Sequence, residues 1–243
     1  MSELFLSVII PAYNEERRLP NTLEQLCTFL DAQPFTSEVL IVENGSQDHT
    51  LEIAKAFAKS CSRVRVFQNT KRGKGLAVQL GMREARGIYR LMADVDFSMP
   101  VPEINRFIPP GLTDFDIAIA SREAPGAVRY NEPLYRHIIG RGYNILIRLL
   151  ALPGLQDTQC GFKCFRGEVA DDLFDYQTLP GWSFDVELLY IARLHGYRIV
   201  EIPIPWYFNS ESKVSVLRDS LHMGLDLLKI RWNSARGVYE KKA

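Results

Sequence analysis

Apolar positions follow two different periods through the first hundred residues. Near-continuous apolar runs at Phe5–Pro11, Val39–Glu43, Val64–Asn69 and Ile88–Ala93 have the length and composition of buried strands. Between them, apolar residues recur every three or four positions. Leu19, Leu23, Leu26 and Leu30 share one face of a helix predicted over residues 17–32, and further helices are predicted to end near Lys59 and Arg86. Strands separated by helices pair in parallel with right-handed crossovers, so the pattern implies an α/β fold with a doubly wound, mostly parallel sheet. The second half is less regular. Strands are expected at Asp116–Ser121, Phe162–Phe165 and Arg198–Pro203, and helices at Tyr135–Leu152, Phe184–His195 and Ser215–Ser234, with Gly196 closing the second of these. No repeat, low-complexity stretch or linker interrupts the chain, so residues 1–243 are read as one domain.

Composition narrows the function classes. Lys plus Arg and Asp plus Glu are both 29, a formal net charge of zero, which argues against a nucleic-acid partner. Residues 1–5 lack the basic and apolar regions of a secretory signal, and no window reaches the roughly 18 uncharged apolar residues of a membrane span. The expectation is therefore a cytoplasmic protein. Cys27, Cys61, Cys160 and Cys164 are too few for a disulfide scaffold, and Cys160/Cys164 has no second pair to complete a zinc site. The four histidines lack ligand spacing. Trp182 and Trp206 are read as structural aromatics, with a role in an acceptor groove as the alternative.

The polar motifs gather at predicted strand ends, where ligands bind in open α/β sheets. Asp94–Val95–Asp96 follows the fourth strand directly. Two carboxylates one residue apart on such a turn suit magnesium or manganese, which take oxygen ligands and leave positions for substrate phosphates. The plainer reading is two solvated turn carboxylates. Gly73–Lys74–Gly75 opens a helix like a dinucleotide fingerprint, but it lacks the third glycine and lies in the third βα unit. It does place Lys71, Arg72 and Lys74 at a helix start, a position that favours anions.

Taken in order, these segments resemble glycosyltransferase family 2. The resemblance rests on Ser7–Glu16, Val42–Asp48, Arg72–Gly75, Ala85–Gly87 and Asp94–Asp96. The second half is similar to the polyprenyl-phosphate (dolichyl-phosphate) glucosyl- and mannosyltransferase branch, through Arg141–Asn144, Asp157–Lys163, Phe184–Leu189 and Ser212–Lys213. The resemblance implies a GT-A fold, with a nucleotide-sugar-binding half (1–121), an acceptor-binding half (122–243) and inverting transfer of a hexose. It places Pro11, Tyr13, Glu15, Val42 and Asn44 at the nucleoside, with Asp94 and Asp96 on the metal and Val95 between them. Lys74, Arg122 and Lys213 fall at the donor phosphates. Glu43–Asn44 replaces the family's usual Asp pair, and Tyr207 lies where the mannosyl branch tends to carry Arg. Asn44 can still donate or accept a hydrogen bond to the base, and Tyr207 in place of Arg favours a UDP-sugar, with UDP-glucose first, over GDP-mannose.

A phosphate-monoester acceptor is already largely anionic near pH 7, so it calls for cations more than for a base. Arg136, Arg141 and Lys163 are the candidate acceptor-binding cations, and Asp157 is the candidate catalytic carboxylate beside Asp96. The alternative for Asp157 is capping the Pro153–Gly154 turn. The helix over Tyr135–Leu152 pairs Ile138, Ile139, Ile145, Leu146 and Leu149 with arginines, a pattern for peripheral attachment at the cytoplasmic membrane face or, alternatively, for burial with the arginines snorkelling outward. Two other functions fit the same motifs. One is a family 2 transferase acting on a soluble or polysaccharide hydroxyl, although the Gln-x-x-Arg-Trp pattern of processive synthases is absent. The other is a non-catalytic nucleotide-sugar-binding protein. The sequence leaves sugar, lipid length, metal preference and oligomeric state open.

Overall fold

The computed structural model describes residues 3–209 and 216–241. Its first half is the anticipated alternation of β1 (Leu6–Ala12), α1 (Leu19–Asp31), β2 (Ser37–Glu43), α2 (Thr50–Ser60), β3 (Val64–Gln68), α3 (Lys74–Glu84) and β4 (Tyr89–Ala93). Next come β5 (Ile117–Ser121), β6 (Val128–Tyr130), α4 (Leu134–Leu150), β7 (Phe162–Arg166), α5 (Gly167–Tyr176), α6 (Phe184–Leu194), β8 (Ile199–Pro203), β9 (Pro205–Tyr207) and α7 (Val216–Ala235). Helix boundaries follow local chemistry. Pro20 stands in the first turn of α1, where its missing N–H costs nothing, and Gly196, at φ 81°, ends the turn after α6.

The main sheet has seven strands in the order β3-β2-β1-β4-β7-β5-β8. Helices cover both faces, so β1 and β2 are buried on both sides and read as continuous apolar runs rather than alternating ones. Two apolar layers result. Val8 and Ile10 join Leu19, Leu23, Leu26 and Leu30 of α1 on one face. Ile9 joins Ala77, Val78 and Met82 of α3 and much of α6 on the other.

The structure departs from the sequence reading at β7. This strand runs antiparallel to both β4 and β5, between two parallel sets. The chain thus enters β7 at the end of the sheet where β4 exits, which brings the 157–161 loop beside Asp94. Helix α5 and the small parallel pair β6–β9 were not anticipated. On the surface, α4 contacts α7 while leaving apolar side chains in solvent: Leu134, Ile138, Ile145 and Leu149 are 52–78% exposed. The alternative of a buried α4 with snorkelling arginines is therefore corrected.

Candidate active site

Because β1 lies between β2 and β4, the loops leaving these three strands meet at one edge of the sheet. Hydrogen bonds lace the first two loops together. Asn14 N–H donates to Ser46 Oγ at 2.9 Å, Glu15 N–H to Thr50 Oγ1 at 2.7 Å, and Gln47 N–H to Asn14 Oδ1 at 2.8 Å. Asn44 Oδ1 accepts from Gly73 N–H at 3.0 Å, which ties the β2 loop to the residue before Lys74. The Arg72 guanidinium lies 4.1 Å from the centre of the Tyr13 ring.

The register Ala93↔Phe162 makes the next residues outward, Asp94 and Gly161, face each other. The fit is close: a Cβ at Gly161 would collide with the Asp94 carboxylate, which would have to move. Asp94 Oδ1 accepts an ion pair from Lys74 Nζ at 2.6 Å, and Asp96 Oδ1 accepts from Ser98 N–H at 3.2 Å. Burial, and then the neighbouring Asp94 charge, push the Asp96 carboxyl above its ordinary range. Burial opposes the Lys74 charge, but Asp94, Asp185 and Asp96 outweigh it and raise its pKa.

These groups line a cavity of about 290 Å³. Its other cations are Arg122, Arg129 and Arg136. Arg129 is held by Glu123 at 2.5 Å and Glu132 at 2.6 Å. Arg136 lies 5.2 Å from the Phe208 ring centre and, among the described residues, has no carboxylate partner. With regard to a divalent ion, no group of three or more His, Cys, Asp or Glu converges among the described residues. Asp94 and Asp96 offer two hard oxygen donors whose mutual repulsion a cation relieves, a set that fits magnesium or manganese sharing its remaining positions with phosphate and water.

Arg122 is a fixed part of this wall. Asp157, which is fully buried, accepts from Arg122 Nε at 2.6 Å, Nη2 at 2.9 Å and the backbone N–H at 3.0 Å. Burial alone would raise the Asp157 pKa, but the guanidinium and these hydrogen bonds hold it down at about 2. Asp157 is therefore corrected from a catalytic carboxylate to the residue that positions Arg122; a carboxylate this acidic and this occupied is a poor proton acceptor. Removing one member of a buried pair costs about 3–5 kcal/mol, so Asp157→Asn is expected to lower the melting temperature by roughly 10 °C. Since the folded pKa lies below the ordinary 3.8, the pair contributes roughly 2 kcal/mol above pH 4 and loses it as pH falls towards 2. Urea unfolding at pH 6 and pH 3 checks this: the variant should lack that part of the acid sensitivity.

Three further sequence expectations are corrected. Val42 belongs to an interior strand and is fully buried in the second core layer, so its side chain cannot line a nucleoside pocket. Lys163 is 1% exposed, and its Nζ donates to Cys160 O at 2.5 Å and sits 2.8 Å from Asp185 Oδ1, so it is a structural cation. Arg141 is exposed on α4 and does not line the cavity. Pro11, Tyr13, Glu15 and Asn44 flank the cavity on the laced loops rather than lining it. Lys213 lies outside the described residues.

Other cavity residues were read first as structural or not assigned to the site. Trp182 and Trp206 both line it, Trp182 with Lys74 Nζ 5.0 Å from its ring and Trp206 beneath Arg122 at 5.4 Å. The groove alternative is therefore the one the geometry supports. Asp185, in the first turn of α6, reaches the cavity between Lys74 and Lys163, and burial raises its pKa against the pull of both lysines. The available signal was its place in the Phe184–Leu189 segment, where two carboxylates, Asp185 and Glu187, stand in the first turn of a helix.

Comparison with known proteins agrees with this geometry. The family model "Glycosyl transferase family 2" matches residues 7–174. The chain is 38% identical to the dolichyl-phosphate beta-glucosyltransferase of Drosophila melanogaster, over 93% of this chain and 74% of that one. It is 36% identical to the human enzyme of the same name, over 96% and 77%. Among solved structures, glucosyl-3-phosphoglycerate synthase of Mycobacterium tuberculosis, crystallised with Mn2+, UDP and glucosyl-3-phosphoglycerate, superposes with a TM-score of 0.69. That likeness covers 95% of this chain and 79% of the other at 16% identity, and it concerns the fold.

Proposed function

We propose, from the premise that this chain belongs to glycosyl transferase family 2, that it moves one glucose from UDP-glucose to dolichyl (polyprenyl) phosphate with inversion at the anomeric carbon. Membership makes it a nucleotide-sugar-dependent glycosyltransferase, and the relatives named above supply the acceptor class. The observation that carries the reading is one cavity holding the Asp94/Asp96 pair, the braced Arg122 and Arg136, which has no carboxylate partner among the described residues.

Each residue has a part. The laced loops after β1 and β2 present Tyr13, Glu15 and Asn44 to the nucleoside. Asp94 and Asp96 would hold a divalent ion, which supplies Lewis acidity to the departing diphosphate. Lys74 and Arg122 neutralise donor phosphate oxygens; Arg122 needs little reordering because Asp157 already fixes it. Arg136 takes the acceptor phosphate, whose oxygen attacks the anomeric carbon from the face opposite the nucleotide. That oxygen is already anionic, so no side chain has to remove a proton. The experiment is transfer of labelled glucose to dolichyl phosphate and to free dolichol, with Mn2+ present. The phosphate should react and the alcohol should not at pH 7; equal rates would move the acceptor to a hydroxyl.

The same reading brings the protein to a membrane surface. No helix among the described residues is long and apolar enough to cross a membrane. Instead α4 and α7 present Leu134, Ile138, Leu149, Leu225 and Trp232 to solvent, flanked by Arg136, Arg141 and Arg148. Such a surface sits at headgroup level and favours anionic lipid. Co-sedimentation with anionic liposomes is expected at low salt, with release at high salt. Protein left in the supernatant at low salt would contradict peripheral attachment.

A further inference from the structure

One polar side chain of the cavity takes no part in the hydrogen bonding of the fold among the described residues. Asn144, on α4, is 7% exposed and lines the cavity, and among the described residues its side-chain amide makes no hydrogen bond. A polar side chain left free at a cavity wall is available to a ligand. The hydroxyl of the preceding Tyr143, also at the cavity, is buried with no hydrogen-bond partner among the described residues, and leaving such a group unpaired costs about 1–3 kcal/mol. Across from α4, Gln159 lines the same space from the 157–161 loop; its backbone N–H is bonded to Asp157, but its side-chain amide is likewise uncommitted among the described residues.

The chemistry of these groups differs from the rest of the cavity. Its anion-binding capacity is already supplied by Lys74, Arg122 and Arg136. A primary amide is neutral and presents a donor and an acceptor together, which matches a hydroxyl and matches phosphate poorly. Position agrees with this. Gln159 is two residues from Gly161, hence within about 7 Å along the chain of the residue that faces Asp94. Asn144 shares α4 with Arg136. A group held between the Asp94/Asp96 end and Arg136 is the one being transferred.

We infer that Asn144 and Gln159 are hexose-binding residues that hydrogen-bond the hydroxyls of the glucosyl group and set sugar selectivity. The inference rests on the proposed function, and its test separates the two. Binding of UDP and of UDP-glucose, each with Mn2+, is measured by calorimetry for the wild type, Asn144→Leu and Gln159→Leu. Both variants should bind UDP as the wild type does and UDP-glucose about tenfold more weakly, the effect of one lost hydrogen bond. The kcat/KM preference for UDP-glucose over UDP-galactose should shrink in parallel. A structural role would instead lower the melting temperature of the ligand-free protein. Replacing an unpaired amide by an apolar group of similar size should leave it unchanged or raise it.

Equal loss of UDP and UDP-glucose affinity, or no loss of either, would overturn the hexose assignment and leave the proposed function standing. A wild type that does not bind UDP-glucose would sink both. Should Asn144→Leu fail to fold, the structural role is correct for that position, and Gln159→Leu on the loop decides the remaining half.

Discussion

Asp94→Asn and Asp96→Asn are each expected to cut glucosyl transfer by about 10²–10³-fold while the protein stays folded, because a Lewis-acid site supplies several kcal/mol of transition-state stabilisation. The two carboxylates leave the end of β4 into the cavity, and Asp94 is 38% exposed, so neither supports the core. Lys74 keeps Asp185 and Asp96 nearby when Asp94 is neutralised, so the melting temperature should move little. A chelator should reduce the wild type to the level of the variants and have little further effect on them. Steady-state kinetics with added Mn2+, together with a thermal melt, measure this. Full activity in either variant, or in excess chelator, would remove the metal from the account.

Gly161→Ala is expected to approach the same loss without touching any carboxylate. An added methyl would occupy the space of the Asp94 side chain and force it off its position. A displacement of about 1 Å at a reacting centre costs on the order of 100-fold in rate. The loss should fall on kcat at saturating acceptor. Gly142→Ala is the control: it lies on the exposed part of α4 with nothing within 4 Å of a new Cβ, and it should be silent or stabilise by about 1 kcal/mol. If Gly161→Ala retains normal turnover, the Asp94 position is not critical.

Legibility in the sequence followed the range of the interactions. β1 to β4 and α1 to α3 were readable because each carries its own periodicity, and Asp94/Asp96 were readable because a strand end locates a site. β6 and β9 were not, since three residues have no pattern and only their pairing makes them strands. The direction of β7 was equally hidden, although it is what sets Gly161 against Asp94. The misassigned cations share one cause. Lys163 and Arg141 both lie near the acceptor motif, but the carboxylate that holds Lys163, Asp185, is 22 residues away, and only the placement of α4 turns Arg141 away from the cavity. Charge is visible in a sequence; which charges are already paired is a tertiary fact. Val42 failed for a related reason, since a family motif marks a loop without saying which of its side chains point into the core.

The most direct test of the central claim is the nature of the bond formed. Incubation with UDP-glucose, Mn2+ and a short-chain dolichyl phosphate, followed by proton and phosphorus NMR of the lipid product, reads both attachment and stereochemistry. The expected result is a single β-glucosyl unit whose anomeric proton couples to phosphorus, showing a bond from C1 to a phosphate oxygen with inversion. An α-linked product, glucose attached to a hydroxyl, or hydrolysis to free glucose alone would contradict it.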